Sequence, residues 1–209
     1  MTSWVNAAAV VALLTASASS LGQNVINADS SAAQATIRRD DAGFVDCGVR
    51  VVVQVVLPNE AEIFDFSLNL TAQGTPLGLL KAGKYTAPGS IATGWNIANR
   101  KPTRLPPNGY WFAEQSADRP LKPFKYVKGE DAGFMLGLAE FEPTAETIFS
   151  VVQGKRVQFA LRYPGDKLDR IISFKAEMDK TDVATFFDCL GGMQRRIKRS
   201  LEVEPETAE

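Results

Sequence analysis

Val49-Arg50-Val51-Val52-Val53-Gln54-Val55-Val56-Leu57-Pro58, followed shortly by Phe64-Asp65-Phe66-Ser67-Leu68-Asn69-Leu70-Thr71, is the stretch from which the fold is read. The first run is almost continuously apolar and β-branched until a proline ends it, which suits a strand buried on both faces. The second alternates strictly. Phe64, Phe66, Leu68 and Leu70 point one way and Asp65, Ser67, Asn69 and Thr71 the other, the pattern of a half-exposed strand.

Downstream, residues 75–128 hold seven of the chain's eleven prolines, so only short strands are expected there, at 110–113 and 124–127. Ala145, Ile148, Phe149 and Val152 recur at helical spacing, with Thr144 as N-cap and Gly154 where a helix stops. Val157, Phe159, Leu161 and Tyr163 alternate with polar residues, Pro164-Gly165-Asp166 supplies a turn, and 168–176 reads as a second strand, completing a hairpin. Asp179 or Thr181 caps a last helix in which Val183, Ala184, Phe187 and Leu190 share a face and Gly191-Gly192 closes the end. Many short strands with few helices predict a mainly β fold, a β-sandwich with two or three short peripheral helices. The expected organisation is one β-rich domain over 37–192, preceded by a flexible segment over 23–36. A charged tail over 193–209 follows, with Arg195, Arg196, Lys198 and Arg199 leading into Glu202, Glu204, Glu206 and Glu209.

Composition narrows the function. The 209 residues are 45% hydrophobic and 22% charged, with a formal net charge of -1, which describes a globular chain and leaves no overall charge to hold nucleic acid by counterion release. No apolar run approaches the ~20 residues of a membrane-spanning helix, so no integral span is expected. Histidine is absent altogether, which excludes histidine-dependent triads and histidine metal sites.

Residues 5–14 form a short apolar stretch, followed by Ala16-Ser17-Ala18 and Ser20-Leu21-Gly22. This is the pattern of a signal peptide over 1–22, cut after Ala18 or Gly22, although no Lys or Arg precedes the apolar part. A buried N-terminal helix is the alternative. Export, periplasmic or secreted, would put Cys47 and Cys189 in an oxidising compartment, where one bridge between them is the simple expectation. In a cytosolic chain the same residues would be two buried free thiols.

Leu105-Pro106-Pro107-Asn108-Gly109, then Asp118-Arg119-Pro120, a helix running to Gly154-Lys155, the hairpin, and a helix from Asp182 to Cys189 together resemble the invasion-associated locus B family of exported bacterial proteins. The resemblance covers roughly residues 105–190. It implies a β-sandwich core and a host- or envelope-facing binding role, with no catalytic residues to carry over.

Charge is distributed unevenly. Residues 81–128 carry nine basic and two acidic side chains, whereas 29–65 carry seven acidic and three basic. The basic segment also holds Trp95, Tyr110, Trp111 and Phe112, and rings beside cations on loops are common at recognition surfaces. Trp95, Arg100, Lys101, Arg104, Tyr110, Trp111, Lys122 and Lys125 are the candidate binding residues, and the expected partner is an anionic protein or envelope component. The competing expectation puts the rings in the core and the cations on a solvated face. Enzymatic chemistry would have to use carboxylates, and Glu140 and Glu142, two apart, would share one face of a strand, as an envelope-glycan hydrolase could require. Solvated acidic faces on strands show the same spacing. No nucleophile elbow, phosphate loop or dinucleotide-binding glycine pattern occurs, and neither cofactor nor metal is expected. An inhibitory or immunity protein acting on an exported toxin is the third class. The reading chosen from these is exported, non-enzymatic binding.

Overall fold

The computed structural model describes residues 24–88, 101–102, 106–115, 120–129 and 133–202. The expected leader lies outside them. In chain order the elements are β1 (Asn24–Asn27), β2 (Ser30–Asp40), β3 (Gly43–Val56), β4 (Glu60–Thr71), β5 (Leu77–Pro88), β6 (Lys101–Pro102), β7 (Gly109–Glu114), β8 (Lys125–Lys128), β9 (Phe134–Ala139), α1 (Phe141–Val152), β10 (Arg156–Arg162), β11 (Arg170–Lys175) and α2 (Lys180–Glu202). The fold is mainly β, with two sheets and two helices among the described residues. One sheet has the order β1-β11-β10-β7 and the other β2-β3-β4-β5-β9-β8, with β6 paired to β5; among the described strands only β1 with β11 is parallel.

The sheets pack face to face through aromatic rings, as a sandwich requires. Phe66 of β4, 1% exposed, lies with its ring centroid 5.1 Å from Phe112 of β7, 4.5 Å from Phe159 of β10 and 5.5 Å from Phe174 of β11. The larger sheet extends past the smaller one, and the helices cover the remainder of its inner face: α2 packs on β3 and β2, α1 on β4 and β5. Gly78 makes the second contact possible, since a Cβ there would overlap Thr144 of α1.

Both deciding strands form, but β3 is not buried on both faces as expected: Arg50 and Val52 are half-buried on its second face and Val56 is 38% exposed. Val49, Val51, Val53 and Val55 are buried on β3, as are Phe64, Phe66, Leu68 and Leu70 on β4. The other face of β4 is less exposed than alternation predicts, because Asp65 is buried and accepts two hydrogen bonds from Arg50, Nε at 2.9 Å and Nη2 at 2.5 Å.

Four further expectations are corrected. The segment 23–36, expected to be flexible, carries β1 and most of β2: β1 completes the smaller sheet beside β11, and β2 pairs with β3 along its length. Residues 75–128 include the long strand β5, because Pro76 and Pro88 bracket a proline-free interval. Gly191-Gly192 does not close α2, which continues to Glu202 into the expected tail, since Met193 remains buried and Ile197 still packs on the core. Gly192 is an inner packing position where a Cβ would overlap the ring of Phe44. Finally, α1 begins at Phe141 with Glu140 as N-cap; Thr144 lies one turn inside and donates its hydroxyl to the Glu140 carbonyl at 2.6 Å. Glu140 and Glu142 therefore sit at a helix start, where acidic side chains suit the positive end of the helix dipole, and share no strand face. Gly154 ends α1 as expected, with φ +63.

Candidate functional site

The disulfide Cys47–Cys189 is formed, joining β3 to α2 with a Cα–Cα distance of 5.7 Å. It fits a chain that folds outside the reducing cytoplasm. No helix among the described residues is long and apolar enough to cross a membrane.

Alternation along β7 separates two of the candidate binding residues. Tyr110 points inward and is 3% exposed, donating its hydroxyl to the Leu80 carbonyl at 2.8 Å. Burial pushes its phenol far above the ordinary range, with Tyr126 adding to the shift. Tyr110 is thus a core residue, and its assignment to the binding surface is corrected. Trp111 faces the other way, half-buried, with Nε1 3.4 Å from the Asp169 carboxylate, which also accepts from Arg162 Nε at 2.7 Å. Trp95, Arg100 and Arg104 lie outside the described residues, and Lys101 is placed only by its backbone, opposite Thr86.

Lys122 and Lys125 are exposed, and beside them stand residues that composition alone did not single out. Phe124 is 61% exposed, Tyr126 37% and Val127 38%, and Lys128 is exposed as well. The run Lys122-Pro123-Phe124-Lys125-Tyr126-Val127-Lys128 alternates cations with apolar groups and contains no acid, a signal visible in the sequence once the strand is placed. None of its three lysines has an ion-pair partner among the described residues. Tyr126 fixes the strand's pose, donating its hydroxyl to the Tyr110 carbonyl at 3.0 Å with its ring 5.3 Å from that of Tyr110. An open recess beside it is lined by Asn108, Trp111, Lys122, Tyr126, Arg162 and Asp169 among others.

A second recess of about 380 Å³ lies where β7 meets α1 and is lined by Glu114, Glu140, Glu146 and Lys122 among others. Glu114 is already engaged, by Lys155 Nζ at 3.3 Å and the Ser150 hydroxyl at 3.3 Å. Among the described residues no group of three acidic, cysteine or histidine side chains could hold a metal.

A third constellation spans the sheets. Glu62 of β4 is 5% exposed and accepts from Lys84 Nζ of β5 at 2.5 Å and from Arg170 of β11. Burial alone would raise its carboxyl, but the two cations outweigh it and hold Glu62 below its ordinary value. Lys84 also sits 5.0 Å from the centre of the Tyr163 ring, whose buried hydroxyl has no hydrogen-bond partner among the described residues.

Compared with known proteins, the chain matches no family model, no curated protein and no solved structure.

Proposed function

We propose that this chain is an exported binding protein, periplasmic or secreted, that engages an anionic partner of the cell envelope or host-facing surface by binding rather than catalysis. The observation carrying this reading is the surface of residues 122–128, where Lys122, Lys125 and Lys128 project, without acidic partners among the described residues, around the exposed ring of Phe124. Unpaired cations beside exposed apolar groups attract an anion at long range and hold it by desolvated contact. The disulfide supports a site of action outside the cytoplasm. The resemblance to the invasion-associated locus B family points the same way.

The test is retention of the full chain on immobilised polyglutamate in about 150 mM salt, where surface charges more than ~8 Å apart are largely screened. A net charge of -1 gives no bulk attraction, so retention reports a local patch. The triple variant Lys122→Glu, Lys125→Glu, Lys128→Glu is expected to flow through unretained. Equal retention of the variant would remove the proposal.

A further inference from the structure

We propose that β8 is a docking edge to which an extended acidic peptide adds as a further strand of the larger sheet. The inference rests on the reading of residues 122–128 as an anion-binding surface, and it names the partner's chemistry and its mode of attachment.

The terminal strands of the two sheets differ in how their outer edges are occupied. On β2 the Ala35 N–H donates to the Asp182 carboxylate of α2 at 2.9 Å, and α2 lies alongside. On β7, Phe112 exchanges two backbone hydrogen bonds with Leu121, at 3.1 and 2.6 Å. β1 offers Asn24, Val25, Ile26 and Asn27, with no cation to meet an acid. β8 ends the sheet order with β9 as its ladder partner, and all four of its residues are exposed. A terminal strand presents a row of backbone donors and acceptors to any chain laid beside it.

The side chains select which chain that can be. Lys125 lies opposite Leu138 and Val127 opposite Leu136, so this pair shares one face of the sheet; Tyr126, opposite Gly137, and Lys128 take the other. An incoming strand therefore meets one cation on each face, at Lys125 and Lys128, with an apolar neighbour beside each. Acidic residues at positions i and i+3 of the added strand match this arrangement, with apolar or β-branched residues between them. Lysines on an edge ordinarily repel other strands, and a second copy of β8 would set lysine against lysine. Carboxylates turn that repulsion into attraction. A sulfated or uronic glycan would satisfy the lysines and leave the strand's backbone groups to water, whereas strand addition uses both, taking affinity from the main chain and specificity from the side chains.

The experiment measures fluorescence anisotropy of the full chain with a labelled probe peptide of about eight residues, a usual strand length, carrying Glu at i and i+3 among Val and Thr. Three comparison probes are the same peptide with Lys for Glu, the same peptide N-methylated at alternate residues, and a heparin oligosaccharide of similar charge. The acidic peptide is expected to bind at least about tenfold more tightly than either altered peptide, a difference of about 1.4 kcal/mol. The double variant Lys125→Glu, Lys128→Glu is expected to exchange its preference to the lysine peptide, an outcome that mere misfolding would not give. If the N-methylated peptide and the heparin fragment bind as tightly as the acidic peptide, strand addition is overturned while anion binding stands. If no anionic probe binds, both fall.

Discussion

Glu62 is a single buried side chain whose ion pairs join the two sheets. Its carboxylate is shared between Lys84 of one sheet and Arg170 of the other, and Glu62→Gln would leave both cations without their counter-charge. Removing one member of a buried ion pair costs several kcal/mol; with Arg170 33% exposed and therefore partly screened, a loss of about 1–3 kcal/mol in urea denaturation is expected. The pH dependence follows from the direction of the shift. Because the folded state holds Glu62 below its ordinary value of 4.5, its contribution is complete above that pH and is lost as pH falls through the lower folded value. Titrating the urea midpoint below pH 5 should give a shallower acid loss in the variant than in the parent, and parallel curves would refute the assignment. Tyr163, which feels the Glu62 charge, and Tyr110, elsewhere in the core, make a matched pair of buried phenols. Tyr163→Phe removes a buried hydroxyl that has no partner among the described residues and is expected to be neutral or stabilising by up to about 1 kcal/mol, whereas Tyr110→Phe breaks the bond to Leu80 and is expected to cost about 1 kcal/mol. Thermal melts of the two variants would distinguish these signs.

Among the elements, α2 depends most on tertiary support. It is held to β3 by the disulfide, to the end of β2 by the bidentate contact of Arg196 with Asp40 at 2.6 and 3.0 Å, and to Phe44 by the close approach at Gly192. The Asp40–Arg196 pair is at the surface, where its hydrogen bonds draw the Asp40 carboxyl below its ordinary range. The bridge closes a loop of 142 residues, and the chain-entropy relation assigns such a loop about 4–5 kcal/mol before native strain is subtracted. Cys47→Ala with Cys189→Ala should therefore lower the denaturant midpoint strongly and, by freeing the unfolded chain to expand, steepen the transition, and an unchanged midpoint would show that the bridge constrains little. The cysteine pairing was legible because the chain has only two thiols, and β3, β4 and the β10-β11 hairpin because their apolar spacing is unbroken. Other features depend on partners distant in sequence. β1 is too short to stand out when read alone and β2 is largely small and polar; both become strands because β11 and β3 offer them ladders. Gly191-Gly192 carries the local chemistry of a helix end, and only Phe44, from the start of β3, shows why a glycine is needed there. Of the surface at β8, its lysines were legible, but the exposure of Phe124 and the burial of Tyr110 were not, because alternation in an isolated short strand does not say which face is covered.

For the molecule as a whole, folding and recognition occupy separate parts. Phe66 sits at the centre of the interior, against three rings contributed by three strands of the opposite sheet, so truncating it removes contacts that join the layers rather than contacts within one layer. Phe66→Ala is expected to cost about 3–5 kcal/mol, the usual range for a fully buried phenylalanine whose surroundings relax only in part. Since the rings, the Glu62 cluster and the disulfide all tie one sheet to the other or to its helix, the loss should appear as a single cooperative transition at lower denaturant. Near-ultraviolet and far-ultraviolet circular dichroism should then report coincident midpoints, the mark of two-state unfolding. Separate midpoints would mean that the sheets hold together independently and that the aromatic centre is not what joins them. The lysines of 122–128 stand outside this network. Reversing them should move the same midpoint by no more than about 0.5 kcal/mol, as for ordinary surface substitutions, while abolishing retention on a polyanion. A stability loss comparable to that of Phe66→Ala would instead make the lysine surface part of the structure, and a change in binding could then no longer be attributed to recognition.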